Sequence, residues 1–253
     1  MDVRVQGPTP PTPFLSARDL FETEYDLERP VYVYVRDDPD ERTWTGHPEG
    51  RHVLNISRRA ATGAMARELA LHEYAHMRRH EQAHPSHVQS TEEALYLGLA
   101  GRRVERRKID HCYQIANHMK DIYADDLTLS VGPADKLVSF LESSLAASIA
   151  DRPIEPPRTG LTRVSVGSDP EITAVNAAFA LGLVERHDLV DDEHRLYDLA
   201  RVAAGDAPNV PFDRFKTWFK TLVEDPDQSE YRKALVEITR EYATATSESV
   251  AAD

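Results

Sequence analysis

The sequence predicts an α+β fold that is predominantly α, with a small β-sheet near the N-terminus and helices through the rest of the chain. Valine alternates with tyrosine or arginine in VYVYVR at 31–36, which is the two-residue period of a strand with one buried face. The short run HVLNIS at 52–57 predicts a second strand. From residue 63 onward, apolar residues recur at helical spacing in several long segments.

Proline and capping residues predict the structure of the segments around these strands. Residues 1–29 contain PTPPTP at 8–13, and we expect an extended proline-rich segment there because proline fixes φ and lacks an N–H. The first long helix is predicted at 63–81, with Thr62 as its N-cap. Further helices are predicted at 90–106, 108–126, 133–150, 171–184, 192–203, 211–223 and 228–243.

Composition also predicts how the chain divides into domains. The stretch 151–170 holds four prolines and two glycines, which indicates a linker. We therefore expect a core at 30–150, a helical C-terminal region at 171–244 and a flexible tail at 245–253.

The chain is acidic, with 30 Lys and Arg against 43 Asp and Glu in 253 residues, for a net charge of −13. This charge disfavours nucleic acids and anionic membranes as partners. The single cysteine, Cys112, excludes an internal disulfide framework and a cysteine-based zinc finger. Because the sequence has no apolar run of membrane-spanning length and no signal-like start, we expect a cytoplasmic protein; its oligomeric state stays open.

Lysine is scarce among the basic residues, at six of 30, and this composition resembles that of proteins from halophilic archaea. Dense carboxylates keep such proteins hydrated in strong salt, where screening shortens the reach of charge repulsion. An ordinary acidic cytosolic protein is the alternative. In either case the composition indicates the solvent rather than the reaction.

The segment LALHEYAHMRRH at 69–80 carries the strongest chemical signal. His72 and His76 are four residues apart, so a helix places both imidazoles on one face, where they can hold one metal ion. Glu73 lies beside this pair, close enough to contact water at that metal but poorly placed to be a ligand. The opposite face carries apolar residues that can anchor the helix to a core.

The sequence HEYAH resembles the HExxH motif of the zincin metallopeptidases, and the resemblance covers roughly residues 50–126. It implies a zincin-like active-site helix beside the early sheet, a Zn²⁺ ion held by His72 and His76, and Glu73 as the general base that activates water. The metzincin subgroup is excluded, because its third histidine would fall at position 82, which is Gln82. Two histidines on a solvated polar face are the alternative.

A catalytic zinc needs a third protein ligand, and a later helix offers candidates. Asn117, Asp121 and Asp125 recur every four residues and form one polar stripe. The sequence DIYAD resembles the ExxxD element of gluzincin peptidases with Asp in place of Glu. This resemblance implies Asp121 as the third ligand and Asp125 as an outer partner that fixes a histidine tautomer. Asn117 and Asp121 resemble an Asn-xxx-Asp element of some small HExxH families, which implies Asn117 as a further outer partner. Glu93 on the preceding helix is the rival ligand, and a merely solvated acidic stripe is the remaining alternative.

Other features are interpreted as structural or as substrate contacts. His80, His84 and His87 are interpreted as polar-face or loop histidines, and the arginines of 101–108 as a solvated helix face. A docking site for an acidic partner or RNA is the alternative for these arginines. The strand HVLNIS precedes the active-site helix, and by resemblance to zincins we expect it to pair with an extended substrate.

Together these features predict a zinc-dependent metallopeptidase that acts on a peptide or protein substrate. The alternative is a non-catalytic zincin-fold protein whose zinc is structural and which serves as an interaction scaffold. The presence of Glu73 favours the enzyme, because a purely structural site has no use for a carboxylate beside the water.

Overall fold

Residues 1–38, 43–151 and 168–245 are described in the computed structural model. They contain one small sheet near the N-terminus and are otherwise mainly helical, which confirms the α+β, predominantly α class. The strands are β1 (Val3–Gln6), β2 (Val31–Arg36), β3 (Trp44–Gly46) and β4 (His52–Ser57). The helices are α1 (Thr12–Phe21), α2 (Arg58–Ala61), α3 (Ala66–Glu81), α4 (Pro85–Val88), α5 (Thr91–Leu99), α6 (Arg106–Val131), α7 (Asp135–Ala150), α8 (Pro170–Arg186), α9 (Arg195–Asp206), α10 (Phe212–Thr221) and α11 (Gln228–Ala245).

The sheet has the strand order β1-β2-β4-β3, in which β1, β2 and β4 are parallel and β3 is antiparallel to β4. β4 pairs on both sides, since Leu54 aligns with Val33 of β2 and with Thr45 of β3. The expectation that HVLNIS pairs with an extended substrate is therefore wrong, because β3 already occupies that side of the strand. Within the described sheet, β3 is the edge strand next to β4.

One face of the sheet is buried against α1 and α3. Val33 and Leu54 are fully buried there, together with Phe14 of α1 and Tyr74 of α3. The Tyr74 hydroxyl donates to the backbone carbonyl of Phe14 at 3.2 Å, which satisfies a polar group inside this core. Tyr74 lies two residues from His72 on α3, or about 200° around the helix, so this packing turns the histidine away from the core.

The N-terminal segment is not the extended chain that the prolines predict. Residues 1–29 contain β1 and α1, and α1 begins within the proline-rich run, with Pro13 in its first turn. Proline is compatible with that position because the first N–H groups of a helix have no partner inside it. Phe14, Ala17 and Phe21 are buried at helical spacing, so packing favours the helix.

Contacts divide the chain into two units. The first comprises residues 1–89 and 120–136, and the second comprises 90–119 and 137–253 as far as they are described. The core expected at 30–150 is thus divided between them, because α5 packs against α11 from the C-terminal region and α6 contributes residues to both units. None of the described helices combines the length and the apolar character needed to cross a membrane.

The second unit is helical, and α8 packs there against both α9 and α10. Gly182 of α8 lies at a close approach to α10: a Cβ at this position would be 2.7 Å from Cβ of Phe219. Most of the linker and nearly all of the tail expected from the sequence, 151–170 and 245–253, fall outside the described residues.

The arginine-rich stretch differs from the helix expected at 90–106. α5 ends at Leu99, and Gly101 has a φ of +74°, a left-handed conformation that favours glycine and interrupts the helix. The first arginines of 101–108 therefore lie in a connection rather than on a helix face, and only those from Arg106 onward are helical.

Candidate metal centre

The two motif histidines lie side by side on α3. Their Nε2 atoms are 2.9 Å apart, as the spacing of four residues predicts for His72 and His76. Both side chains are partly buried, and Glu73 is 8% exposed. The helix therefore presents two imidazoles and one carboxylate from a single turn.

Asp121 of α6 completes a group of three possible metal ligands. Its Oδ1 lies 3.3 Å from Nε2 of His76 and 3.8 Å from Nε2 of His72. Ligand atoms that surround a tetrahedral zinc ion at 2.0–2.1 Å are about 3.3 Å from one another. Two imidazole nitrogens and a carboxylate oxygen at these separations fit a zinc-sized ion, so the structure brings together the ligand set implied by the sequence.

Asp125, one turn after Asp121 on α6, supports the first histidine. Its Oδ1 lies 2.7 Å from Nδ1 of His72, and the side chain is buried. Burial acts to lower the pKa of His72, but the nearby carboxylates, Asp125 foremost, outweigh it and raise this pKa to about 10. Metal binding requires the neutral ring, and in that form an Nδ1–H that donates to Asp125 leaves the lone pair of Nε2 directed at the metal position.

Glu73 has a partner that the sequence did not reveal. The hydroxyl of Thr45 on the edge strand β3 donates to Oε2 of Glu73. Thr45 faces this carboxylate because it pairs with Leu54 and so lies on the buried face of the sheet. The edge strand thus orients the carboxylate that the motif places beside the metal position.

A second set of hydrogen bonds supports His76. Its Nδ1 lies 2.8 Å from Nε2 of His87, and Nδ1 of His87 lies 2.7 Å from Oγ of Ser86. The Ser86 hydroxyl is in turn 2.7 Å from Nδ1 of His84, the N-cap of α4. Burial lowers the pKa of His87, which keeps its ring neutral. The interpretation of His87 as a polar-face or loop histidine missed this contact with a candidate ligand.

The turn after α3 is what returns His87 to His76. Ala83 has a φ of +50°, which ends the helix, and α4 contacts α3 within the first unit. A histidine eleven residues beyond a metal-binding residue has no periodic signal in the sequence, so only the fold reveals this pair.

The other predicted site residues lie elsewhere. Glu93 belongs to α5 in the second unit, where its exposed carboxylate is 4.0 Å from the Arg232 guanidinium. Within the first unit, Asp121 is the acidic residue that lies beside both histidines. Asn117 lies on the part of α6 that belongs to the second unit, and its side chain is exposed.

His80 takes part in a different cluster of the first unit. Its ring stacks on His47 with centroids 3.8 Å apart, and Nδ1 of His47 is 2.8 Å from Nδ1 of His52. His52 is fully buried and its Nε2 lies 2.9 Å from Oε1 of Glu81. Burial lowers the pKa of His52, so the neutral ring donates its Nε2–H to the Glu81 carboxylate.

A further group of possible ligands occurs in the second unit, where His111 of α6 meets Asp169 and Glu171 at the start of α8. Arg107 contacts Asp169 and lies 3.2 Å from Glu171, and the Tyr242 hydroxyl is hydrogen-bonded to Nδ1 of His111. Arg107 already pairs with both carboxylates, so we interpret the arrangement as a structural ion network.

No curated protein and no solved structure matches this chain. The profile of a protein family described as a family of unknown function (DUF5781) matches residues 1–244. The match spans both units and every residue of the candidate metal centre. The chain therefore belongs to the DUF5781 family of unknown function.

Proposed function

We propose that this chain is a zinc-dependent metallopeptidase in which His72, His76 and Asp121 hold the metal and Glu73 is the general base. The observation that carries the proposal is the convergence of the three ligand atoms, all within 4.8 Å of one another. Two of them belong to α3, the helix that also carries Glu73. Three protein ligands leave a fourth tetrahedral position for water or substrate, which is typical of catalytic rather than structural zinc.

The protein's own groups prepare this site before any substrate binds. Asp125 accepts the Nδ1–H of His72, and His87 lies at Nδ1 of His76, so Nε2 of each imidazole faces the other candidate ligand atoms, where a metal would bind. Asp121 supplies the negative charge that offsets part of the charge of a divalent cation. These contacts fix the ligands in advance, which lowers the entropic cost of metal binding.

Zinc, when bound, supplies Lewis-acid chemistry that acidifies water and polarises a carbonyl oxygen. Glu73 then accepts a proton from the attacking water and returns it to the leaving nitrogen of the peptide bond. Thr45 holds Oε2 of Glu73, which leaves Oε1 as the oxygen open to this proton. The 8% exposure of Glu73 limits competition from bulk water for that oxygen.

The test measures metal content and casein hydrolysis on the same preparations, in high salt because of the acidic composition. We expect a single zinc ion per chain in the native protein. His72→Ala and His76→Ala should lose both zinc and hydrolysis. Glu73→Gln should retain zinc and lose hydrolysis, because an amide cannot accept the proton of the attacking water.

Two results would refute the proposal at different points. If the native protein binds no zinc, the proposed metal site is wrong. If Glu73→Gln still hydrolyses casein at the native rate, Glu73 is not the general base. Stoichiometric zinc without hydrolysis of casein or of a diverse peptide mixture would favour the alternative, a zincin-fold interaction scaffold with structural zinc.

A further inference from the structure

We infer that His87 is a positioning residue of the metal centre: it accepts a hydrogen bond from Nδ1 of His76 and so holds Nε2 of His76 toward the metal. The inference rests on the metal site of the proposed function but not on peptide hydrolysis. Its basis is the 2.8 Å separation between Nδ1 of His76 and Nε2 of His87, on the side of the ring away from His72 and Asp121.

The hydrogen bonds around His87 have a single consistent direction. If Nε2 of His76 is to bind a metal, its proton lies on Nδ1, and Nε2 of His87 must accept that proton. His87 then carries its own proton on Nδ1 and donates it to Oγ of Ser86 at 2.7 Å. The Ser86 hydroxyl donates onward to Nδ1 of His84 at 2.7 Å. Each of these atoms thus has one defined role.

The end of this hydrogen-bond network that lies away from His76 is buried and fixed. Ser86 is 0% exposed and His84 is 5% exposed, and the backbone N–H of Ser86 also donates to Nδ1 of His84 at 3.3 Å. The Ser86 hydroxyl has one O–H and cannot donate to Nδ1 of both His84 and His87. Because these buried groups have little access to water, the other tautomer of His87 would leave an acceptor without a donor. The short helix α4 therefore presents His87 as a fixed acceptor.

The two candidate histidine ligands are supported differently. His72 has the carboxylate of Asp125, whereas His76 has an imidazole. A carboxylate that accepts from a histidine makes that ring a stronger electron donor to a metal. An uncharged acceptor orients the ring but adds less electron density to it. His87 thus fixes geometry at His76 while leaving more positive charge on a bound cation, which suits a Lewis acid.

The experiment titrates the full chain with Zn²⁺ alone, in competition with a chromogenic chelator. We expect His87→Ala to bind zinc roughly 10–100-fold more weakly, the usual cost of losing an outer partner of a metal ligand. His87→Gln should restore much of the affinity, because its amide oxygen can accept from Nδ1 of His76. The matched control is His80→Ala, one turn beyond His76 on α3, where the ring stacks on His47 instead.

A second measurement is independent of any variant. Nitrogen-15 NMR of the native, metal-free protein reports which ring nitrogen of His76 carries the proton, and we expect Nδ1. A proton on Nε2 would overturn the inference, as would a zinc affinity of His87→Ala within about twofold of native. If His87→Ala does not fold, the position of the His76 proton and the zinc affinity of His87→Gln decide whether His87 positions His76.

The inference and the proposed function fail in distinguishable ways. Native zinc affinity in His87→Ala overturns the role of His87 and leaves the peptidase standing. If zinc binding depends on His87 but the protein hydrolyses no peptide, the role of His87 stands and the peptidase proposal is overturned. Native protein without any affinity for zinc overturns both.

Discussion

Nδ1 of His72 on α3 lies 2.7 Å from Oδ1 of Asp125 on α6. This contact joins the two helices that supply the candidate metal centre, because Asp121 lies one turn before Asp125. The Asp125 side chain is only 3% exposed, so few water molecules compete for its oxygens. The same bond that packs α6 against α3 therefore also sets the tautomer of a candidate ligand.

Removing the charge of Asp125 should weaken zinc binding without removing a ligand. We expect Asp125→Asn to lower zinc affinity roughly 10–100-fold, because the amide orients His72 less strongly and adds no charge to it. Competition with a chromogenic chelator measures the change. Asp110→Asn, an exposed aspartate on the same helix, is the matched control and should bind zinc as the native protein does. Equal affinities in the two variants would contradict this role.

Replacing Asp121, the proposed third ligand, should have a larger effect on zinc affinity. We expect Asp121→Ala to lose more affinity than the roughly 10–100-fold that an outer partner contributes, because it removes a coordinating oxygen. Glu93→Ala should retain native affinity, since Glu93 lies in the second unit near Arg232. Zinc titrations of the two variants decide between the candidates. Loss of binding in Glu93→Ala alone would assign the third ligand to Glu93.

Local periodicity explains which parts of this arrangement could be predicted from the sequence. The alternation at 31–36 predicted β2, and the spacing of His72 and His76 predicted their shared face on α3, because both signals arise within one element. The spacing likewise put Asp121 and Asp125 on one stripe. The spacing alone did not show that this stripe packs against α3. That depends on tertiary contacts between the two helices, such as the hydrogen bond that Nε of Arg79 donates to the carbonyl of Tyr123.

The contacts that sequence reasoning missed involve short elements. Thr45 lies on a strand of three residues and His87 on a helix of four, and neither is long enough to show a period. The missed helix α1 has another cause. Proline is disfavoured in the interior of a helix but is compatible with its first turn, and Pro13 lies in the first turn of α1.

Close packing in the second unit makes a separate prediction about stability. A Cβ at Gly182 would be 2.7 Å from Cβ of Phe219 and 3.0 Å from the carbonyl oxygen of Lys216. We expect Gly182→Ala to lower the free energy of unfolding by about 1–3 kcal/mol through overpacking. Guanidinium unfolding measures it.

The matched control for this change is Gly205→Ala on α9, where no atom lies within 4 Å of the added Cβ. Alanine is the better helix former, so this variant should be as stable as the native protein or up to about 1 kcal/mol more stable. Similar destabilisation of both variants would contradict the prediction, because the contact with Phe219 occurs only at Gly182.

Glu81 should contribute stability that depends on pH. Its carboxylate accepts hydrogen bonds from the backbone N–H groups of Glu28 and Arg29 and from Nε2 of His52. Burial alone would raise the pKa of Glu81, but these three donors outweigh it and lower the pKa from 4.5. Because the folded pKa is the lower one, the ionised group stabilises the fold above about pH 4.5, and this stability is lost as the pH falls through the folded pKa.

Glu81→Gln should therefore lower the free energy of unfolding by about 1–3 kcal/mol at pH 7, because its amide N–H groups face donors. The difference from the native protein should shrink as the pH falls below 4.5, the ordinary pKa of a glutamate. Guanidinium unfolding over this pH range measures both effects, with Glu237→Gln, an exposed glutamate of α11, as control. A difference that stays constant with pH would mean that the charge of Glu81 contributes nothing.

Thr45 should affect catalysis without affecting the metal. Its hydroxyl orients the Glu73 carboxylate, so Thr45→Val, which keeps the β-branched shape suited to a strand, removes only the donor. We expect kcat for casein hydrolysis to fall roughly tenfold, as loss of a hydrogen bond to a charged group implies, while zinc affinity stays native.

Thr45→Ser separates this positioning role from a packing role. Serine retains the hydroxyl and loses the methyl group, so it should keep most of the native kcat if the hydrogen bond to Glu73 matters. If packing on β3 matters instead, Thr45→Val should be the more active variant, because it preserves the side-chain volume against the buried face of the sheet. The order of the two rates, at equal zinc occupancy, therefore decides whether Thr45 acts on Glu73, the proposed general base, through its hydroxyl.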